Sequence, residues 1–134
     1  MTRPDVDPEY LTSLLNNFKA EVAGVNHVLA LAGDGLLLAT TPTLERDQAE
    51  RLAAAASGFA GLANQVDGEL TGGGLQSIIV EMAAGYLMVI QTPGGARLAA
   101  VTPANSDIGQ VVYQLNLLSD RVGATALAVA ARHG

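Results

Sequence analysis

The stretch Leu44–Val66, LERDQAERLAAAASGFAGLANQV, limits the possible folds of this chain more than any other. Its periodicity is that of a helix with two apolar faces. Leu52, Ala55, Phe59, Leu62 and Val66 recur at helical spacing and predict a core-facing stripe. Beside them runs a second stripe of Ala49, Ala53, Ala56, Ala60 and Ala63. The remaining face carries Ala54, Ser57, Gly58 and Gly61 and is polar only at its ends, through Glu50 and Gln65. A solvated helix face normally carries Glu, Lys, Gln and Arg, and this one has almost none past Arg51. Each interior glycine destabilises a helix by about 1 kcal/mol relative to alanine. Two of them imply a close backbone approach, either by the chain's own sheet or by a partner helix.

The rest of the chain arranges itself around this helix. Asp7-Pro8-Glu9 supplies an N-cap, a proline at the first helical position and an acid suited to the helix dipole. Leu11, Leu14, Leu15, Phe18 and Val22 then form one stripe, predicting a first helix over residues 8–22 that stops at Gly24. Val25–Ala32 and Leu36–Thr40 read as strands joined by the tight turn Gly33-Asp34-Gly35, and Pro42 ends the second. Thr43 is placed to cap the central helix. The segment 67–74 reads as a loop. Leu75–Met82, Tyr86–Gln91 and Arg97–Thr102 come next as three strands, connected closely enough to form a meander. Asn105 or Ser106 can cap the last helix, whose core stripe is Ile108, Val111, Leu115, Leu118 and Val122. The predicted fold class is α/β (α+β) in the order αββαβββα, with a five-stranded antiparallel sheet. One domain over residues 1–134 is expected, with 1–7 and 128–134 as loose tails.

Composition excludes several functions. The 134 residues suffice for one domain with a real core. Charged residues are 15% of the chain, against roughly 25% in an average soluble protein. Much of the surface must therefore be uncharged and suited to burial in an assembly. The net charge is −6 and the seven Lys and Arg are scattered, so no footprint for nucleic acid exists. There is no cysteine, hence no disulfide and no thiolate metal site. The acidic start does not resemble a signal peptide, and no apolar window is long enough to span a membrane. A cytoplasmic protein without direct membrane insertion is expected, any recruitment to a membrane being through a partner.

Catalytic constellations are scarce. His27 falls in a strand and His133 near the end, and two histidines without a third ligand make no metal site. Gly72-Gly73-Gly74 resembles a phosphate cradle only loosely. It lacks the lysine motif and leads into a strand, whereas phosphate loops lead into a helix. Ser57-Gly58 lies in mid-helix, not on a strand-to-helix elbow. Glu81 is the one acid inside a strand, where an outward charge discourages aggregation at an edge. No catalytic residue, cofactor or metal ligand is assigned.

Several short matches carry a family likeness. They are Gly24-Val25, Asp34-Gly35-Leu36-Leu37, Leu52-Ala53-Ala54 through Ser57-Gly58, Val80-Glu81-Met82, Gly85-Tyr86-Leu87 and Asp107-Ile108-Gly109-Gln110-Val111. In this order and spacing the chain resembles a roadblock-type domain over nearly its whole length, Leu11 to Val122. That family contains the dynein roadblock light chains and bacterial regulators of small Ras-like GTPases. The likeness is greatest to actinobacterial members, typically encoded beside a sensor-kinase-like protein and a small GTPase.

The resemblance implies a sheet with the long second helix on one face and the other two helices on the opposite face. It also implies a homodimer in which second helices and third strands meet. On that basis Ala53, Ser57, Gly58 and Gly61 would line a helix contact. Ser77, Ile79 and Glu81 would lie where third strands pair. The expected function is a non-enzymatic subunit that modulates the nucleotide cycle of a small Ras-like GTPase, in a complex that can include a sensor-kinase-like protein. A pure scaffold is the alternative. A small-ligand sensor is disfavoured by the alanines and the lack of buried polar groups. The family has no shared arginine finger, and Arg51 and Arg97 are the nearest candidates.

Overall fold

The computed structural model describes residues 8–133, and side chains over 9–122. The elements are α1 (Pro8–Glu21), β1 (His27–Leu31), β2 (Leu37–Thr40), α2 (Arg46–Leu70), β3 (Ser77–Met82), β4 (Gly85–Gln91), β5 (Arg97–Pro103) and α3 (Ile108–His133). The strands form one sheet in the order β2-β1-β5-β4-β3. Every neighbouring pair is antiparallel, so the predicted fold class holds. β3 and β2 are the two edges.

Strand alternation sends side chains to opposite faces. Val28, Ala30, Met88, Ile90, Leu98 and Ala100 pack beneath α1 and α3, against Leu15, Phe18, Val111, Leu115 and Val122. Leu29, Leu31, Leu87, Val89 and Ala99 face α2. The helix meets them with Ala49, Ala53, Ala56 and Ala60, all fully buried. This reverses the expectation for α2. The stripe of large side chains predicted for the core, Leu52 apart, is not buried, and the alanine stripe is the one that packs. The sheet presents bulky leucines and valines, so a helix of methyl groups fills the remaining space and sits close.

The connections also depart from expectation at named residues. Thr43 does not cap α2. Its hydroxyl donates to the Asn26 carbonyl at 3.1 Å, tying the loop back to β1. Glu45 occupies the cap without a side-chain bond. At α3 it is Asp107, not Asn105 or Ser106, whose carboxylate accepts from a first-turn amide, that of Gln110 at 3.2 Å. The Ser106 hydroxyl instead donates to the Pro103 carbonyl at 2.6 Å.

α2 runs past Val66 to Leu70 and ends on Thr71, which is left-handed at φ 52. The segment expected as loop from residue 67 thus begins as helix. The Asp67 carboxylate organises the glycine run beyond the helix end. It accepts from the Gly74 amide at 3.0 Å, while the Asp67 carbonyl accepts from Gly72 at 2.9 Å. A Cβ at Gly72 would run into that carboxylate. The glycine run is therefore wound around the helix's own acid. α3 continues through Gly123 to His133. Residues 1–7 lie outside the described part.

Two buried threonines differ in a way that can be tested. Thr41 Oγ1 accepts from the Val28 amide at 3.2 Å and bonds Thr43 Oγ1 at 2.9 Å. Thr102 Oγ1 is equally buried and has no partner. Thr41→Val should lower unfolding free energy by about 1–3 kcal/mol, because it orphans a buried amide. Thr102→Val should leave stability unchanged or raise it by about 1 kcal/mol, because it removes an unpaired hydroxyl. Urea denaturation of the two variants against wild type gives both values.

Candidate functional site

The side chains of a helix are displaced by about 100° per residue, so α2 divides into flanks about its buried alanine stripe. Ser57 lies on one flank. It is half-buried against the β1–β2 turn, where a Cβ on Gly35 would come 3.1 Å from its own Cβ. The opposite flank, towards β3, carries Phe59, Leu62, Val66 and Leu70, which are 43%, 66%, 57% and 75% exposed. Gly58 and Gly61 lie on the outward side, with nothing within 4 Å of where a Cβ would stand.

β3 continues this surface. Ile78 and Val80 are partly buried and pack against the α2-side core. Met82 comes next on the same face by alternation and is exposed. Ser77, Ile79 and Glu81 pair with Ile90, Met88 and Tyr86, so they sit on the α1–α3 face. Of these, Ile79 and Glu81 are exposed and Ser77 is half-buried. Among the described residues only β4 pairs with β3, leaving its outer edge open.

The predicted interface residues are thus not gathered in one place. Ala53 is wholly enclosed by its own sheet and has no surface left for a partner, which corrects its assignment. Ser57 is largely taken by the β1–β2 turn. Gly58 and Gly61 are open, and Ser77, Ile79 and Glu81 line the far side of the edge strand. Phe59, Leu62 and Val66 were missed because their spacing is that of a core stripe. The signal that could have found them was the bulk of the facing strands, which leaves little room under the helix.

Polar groups under α2 are committed internally. Arg97 donates through Nη1 to the Gly33 carbonyl at 2.9 Å and through Nη2 to Gln91 Oε1 at 3.5 Å. Asn64 Nδ2 donates to the same Gln91 oxygen at 3.1 Å. Arg97 is therefore not available as a donated finger, whereas Arg51 is exposed on α2. Between α1 and α3 an open groove is floored by Leu14, Phe18 and Leu118. Among the described residues no group of His, Asp and Glu could hold a metal, and no helix is long and apolar enough to cross a membrane.

The family model for the Roadblock/LC7 domain matches residues 12–102. The chain belongs to the Roadblock/LC7 family. Two solved Roadblock/LC7 domains from Streptomyces avermitilis are similar to it. One is 25% identical with a TM-score of 0.78, over 83% of this chain and 92% of that one. The other is 35% identical with a TM-score of 0.68, over 83% and 96%. The gliding protein MglB from Thermus thermophilus shares the fold at 16% identity and a TM-score of 0.77, over 94% and 93%. The search among curated proteins found no match. The Roadblock/LC7 match takes in α2 and β3 entire and stops at Thr102, so α3 lies beyond it.

His27 has a structural role in this Roadblock/LC7 domain. Its Nδ1 lies 2.9 Å from Thr43 Oγ1. Thr43 spends its one hydroxyl hydrogen on Asn26, so Nδ1 must be the donor, which assigns the tautomer of the neutral ring. Burial, and then the Lys19 ammonium, hold His27 below its ordinary value of 6.5. The folded value lies below the unfolded one, so the unfolded chain takes up the proton first as pH falls. The stability His27 contributes is present above the unfolded value and is lost as pH falls through the folded one. An NMR titration of the ring should give a midpoint below 6.5, rising towards it in Lys19→Ala.

Proposed function

We propose that this chain is a non-enzymatic regulatory subunit. It forms a homodimer that binds a small Ras-like GTPase and modulates its nucleotide cycle. The observation that carries the dimer is the joining of two unsatisfied features. α2, which carries the exposed apolar residues Phe59, Leu62, Val66 and Leu70, also touches β3, whose outer edge is open among the described residues. Pairing β3 with its own copy would satisfy the backbone groups of both edges and bring the two flanks together. Family membership supports the GTPase partner, as the resemblance implies for the family at large. A sensor-kinase-like protein in the same complex rests on that resemblance alone.

Any effect on hydrolysis is proposed to act by reshaping the partner's switch regions. Arg97 is held by Gly33 and Gln91, which leaves Arg51, exposed on α2, as the other arginine named above.

Light scattering on wild type at micromolar concentration should give a dimer. Leu62→Asp and Val66→Asp should give folded monomers, and Gly58→Leu should weaken association. A monomeric wild type, or aspartate variants that associate as tightly as wild type, would remove the dimer.

GTP hydrolysis by the small GTPase encoded nearest to this chain is then measured with and without the dimer. Altered turnover supports regulation, and binding with unchanged turnover would make the protein a scaffold. In the first case Arg51→Ala should leave the effect within about twofold, since loss of a donated arginine typically removes a thousandfold or more.

A further inference from the structure

The burial of α2 changes abruptly along its length. From Ala49 to Ala60 a residue of every turn is fully buried against the sheet. From residue 61 to 70 none is. Ala63, Asn64 and Asp67 are only partly covered, while Leu62, Val66 and Leu70 face outward. Helical stability in proteins comes mainly from packing of the apolar face. The second half of this helix therefore lacks what holds the first half.

Two features weaken the helix where the packing ends. Gly58 and Gly61 flank Ala60, the last buried alanine of α2, and among the described residues no other element comes within 4 Å of where their Cβ atoms would stand. The Ala60 carbonyl also accepts from the Asn64 side chain at 2.9 Å. That bond competes with the backbone amide of Asn64, the ordinary helical donor to this carbonyl, and such back-bonding favours bending.

One polar chain ties the second half down. Asn64 donates to Gln91, Gln91 accepts from Arg97, and Arg97 donates to the Gly33 carbonyl. The Arg97 Nε is buried within it and has no partner. The chain runs from α2 across the ends of β4 and β5 to the β1–β2 turn.

We propose that α2 is a hinged helix. Residues 61–70 pivot about Gly58–Gly61 and are latched to the sheet by Asn64, Gln91 and Arg97, so their tilt is linked to the position of the β1–β2 turn. The hinge stands independently of the dimer. That a second copy selects one tilt, by covering Leu62, Val66 and Leu70, rests on the dimer reading above.

Amide hydrogen exchange, resolved along α2 and measured over a range of protein concentrations, tests this. Protection in wild type should fall in a step near residue 61, not in a gradient from Leu70 as simple end fraying gives. Gln91→Leu removes the shared acceptor and should speed exchange over 61–66 roughly tenfold, the worth of one hydrogen bond, with 49–56 unchanged. The double variant Gly58→Ala/Gly61→Ala should slow exchange over 61–66 roughly tenfold, since each alanine favours the helix. Dependence on concentration reports association, and dependence on these substitutions at the lowest concentration reports the hinge. A smooth gradient from Leu70, or variants that shift 49–56 and 61–66 alike, would show that α2 moves as one rod.

Discussion

Four alanine methyls, those of Ala49, Ala53, Ala56 and Ala60, set how closely α2 approaches the sheet. Facing them are Leu29, Leu31, Leu87 and Val89, whose bulk fills the layer from the strand side. Close packing permits one large partner at each contact, not two. Once the strands supply the volume, the helix can only supply small groups, and its larger side chains must turn elsewhere. Phe59, Leu62, Val66 and Leu70 are exposed for that reason. The outward apolar flank is thus a consequence of how the core is filled.

The sheet edges differ in the same direction. β2 is four residues long, meets β1 with a register irregularity at Ala30/Leu31, and is followed by Pro42. Short, irregular, proline-ended strands are poor templates for further pairing. β3 is six residues long and pairs residue for residue with β4 from Ser77 to Met82. Its alternation places Ile78 and Val80 against the α2-side core. One end of the sheet is closed by its own irregularity, and the other stays open on the strand that α2 touches.

Local chemistry made the strands and their connections legible in the sequence. The tight turn at Gly33-Asp34-Gly35, the breaks at Pro42 and Pro93, and the period-two apolar runs fixed five antiparallel strands with ends correct to about two residues, within the usual spread of such assignments. What was not legible depended on contacts that residue spacing does not reveal. Thr43 looks like a cap until the Asn26 carbonyl is beside it, and Glu45 takes the position instead. Asp67 looks like a loop residue until Gly72 and Gly74 are seen to fold back on it. The faces of α2 were misassigned because a periodicity identifies which residues share a face, not which face the sheet leaves room for. Ala53 was placed at a partner contact, though the strands beneath it had already taken it.

The distribution of polar groups bears on what kind of work this fold can do. A catalytic site needs convergent polar side chains in a concave, partly dry setting. Asn64, Gln91 and Arg97 converge, but they are spent on one another and on the Gly33 carbonyl. Thr41, Thr43 and His27 are likewise spent on closing the β1–β2 hairpin. Both clusters stabilise positions of the backbone. The exposed residues of α2 and β3 include Phe59, Leu62, Val66, Leu70, Ile79 and Met82, and Gly58 and Gly61 are bare on the outward side of the helix. An exposed apolar flank and an open strand edge can recognise another folded chain through shape and burial. The same filling of the core that turned Leu62 and Val66 outward therefore suits this domain to assembly.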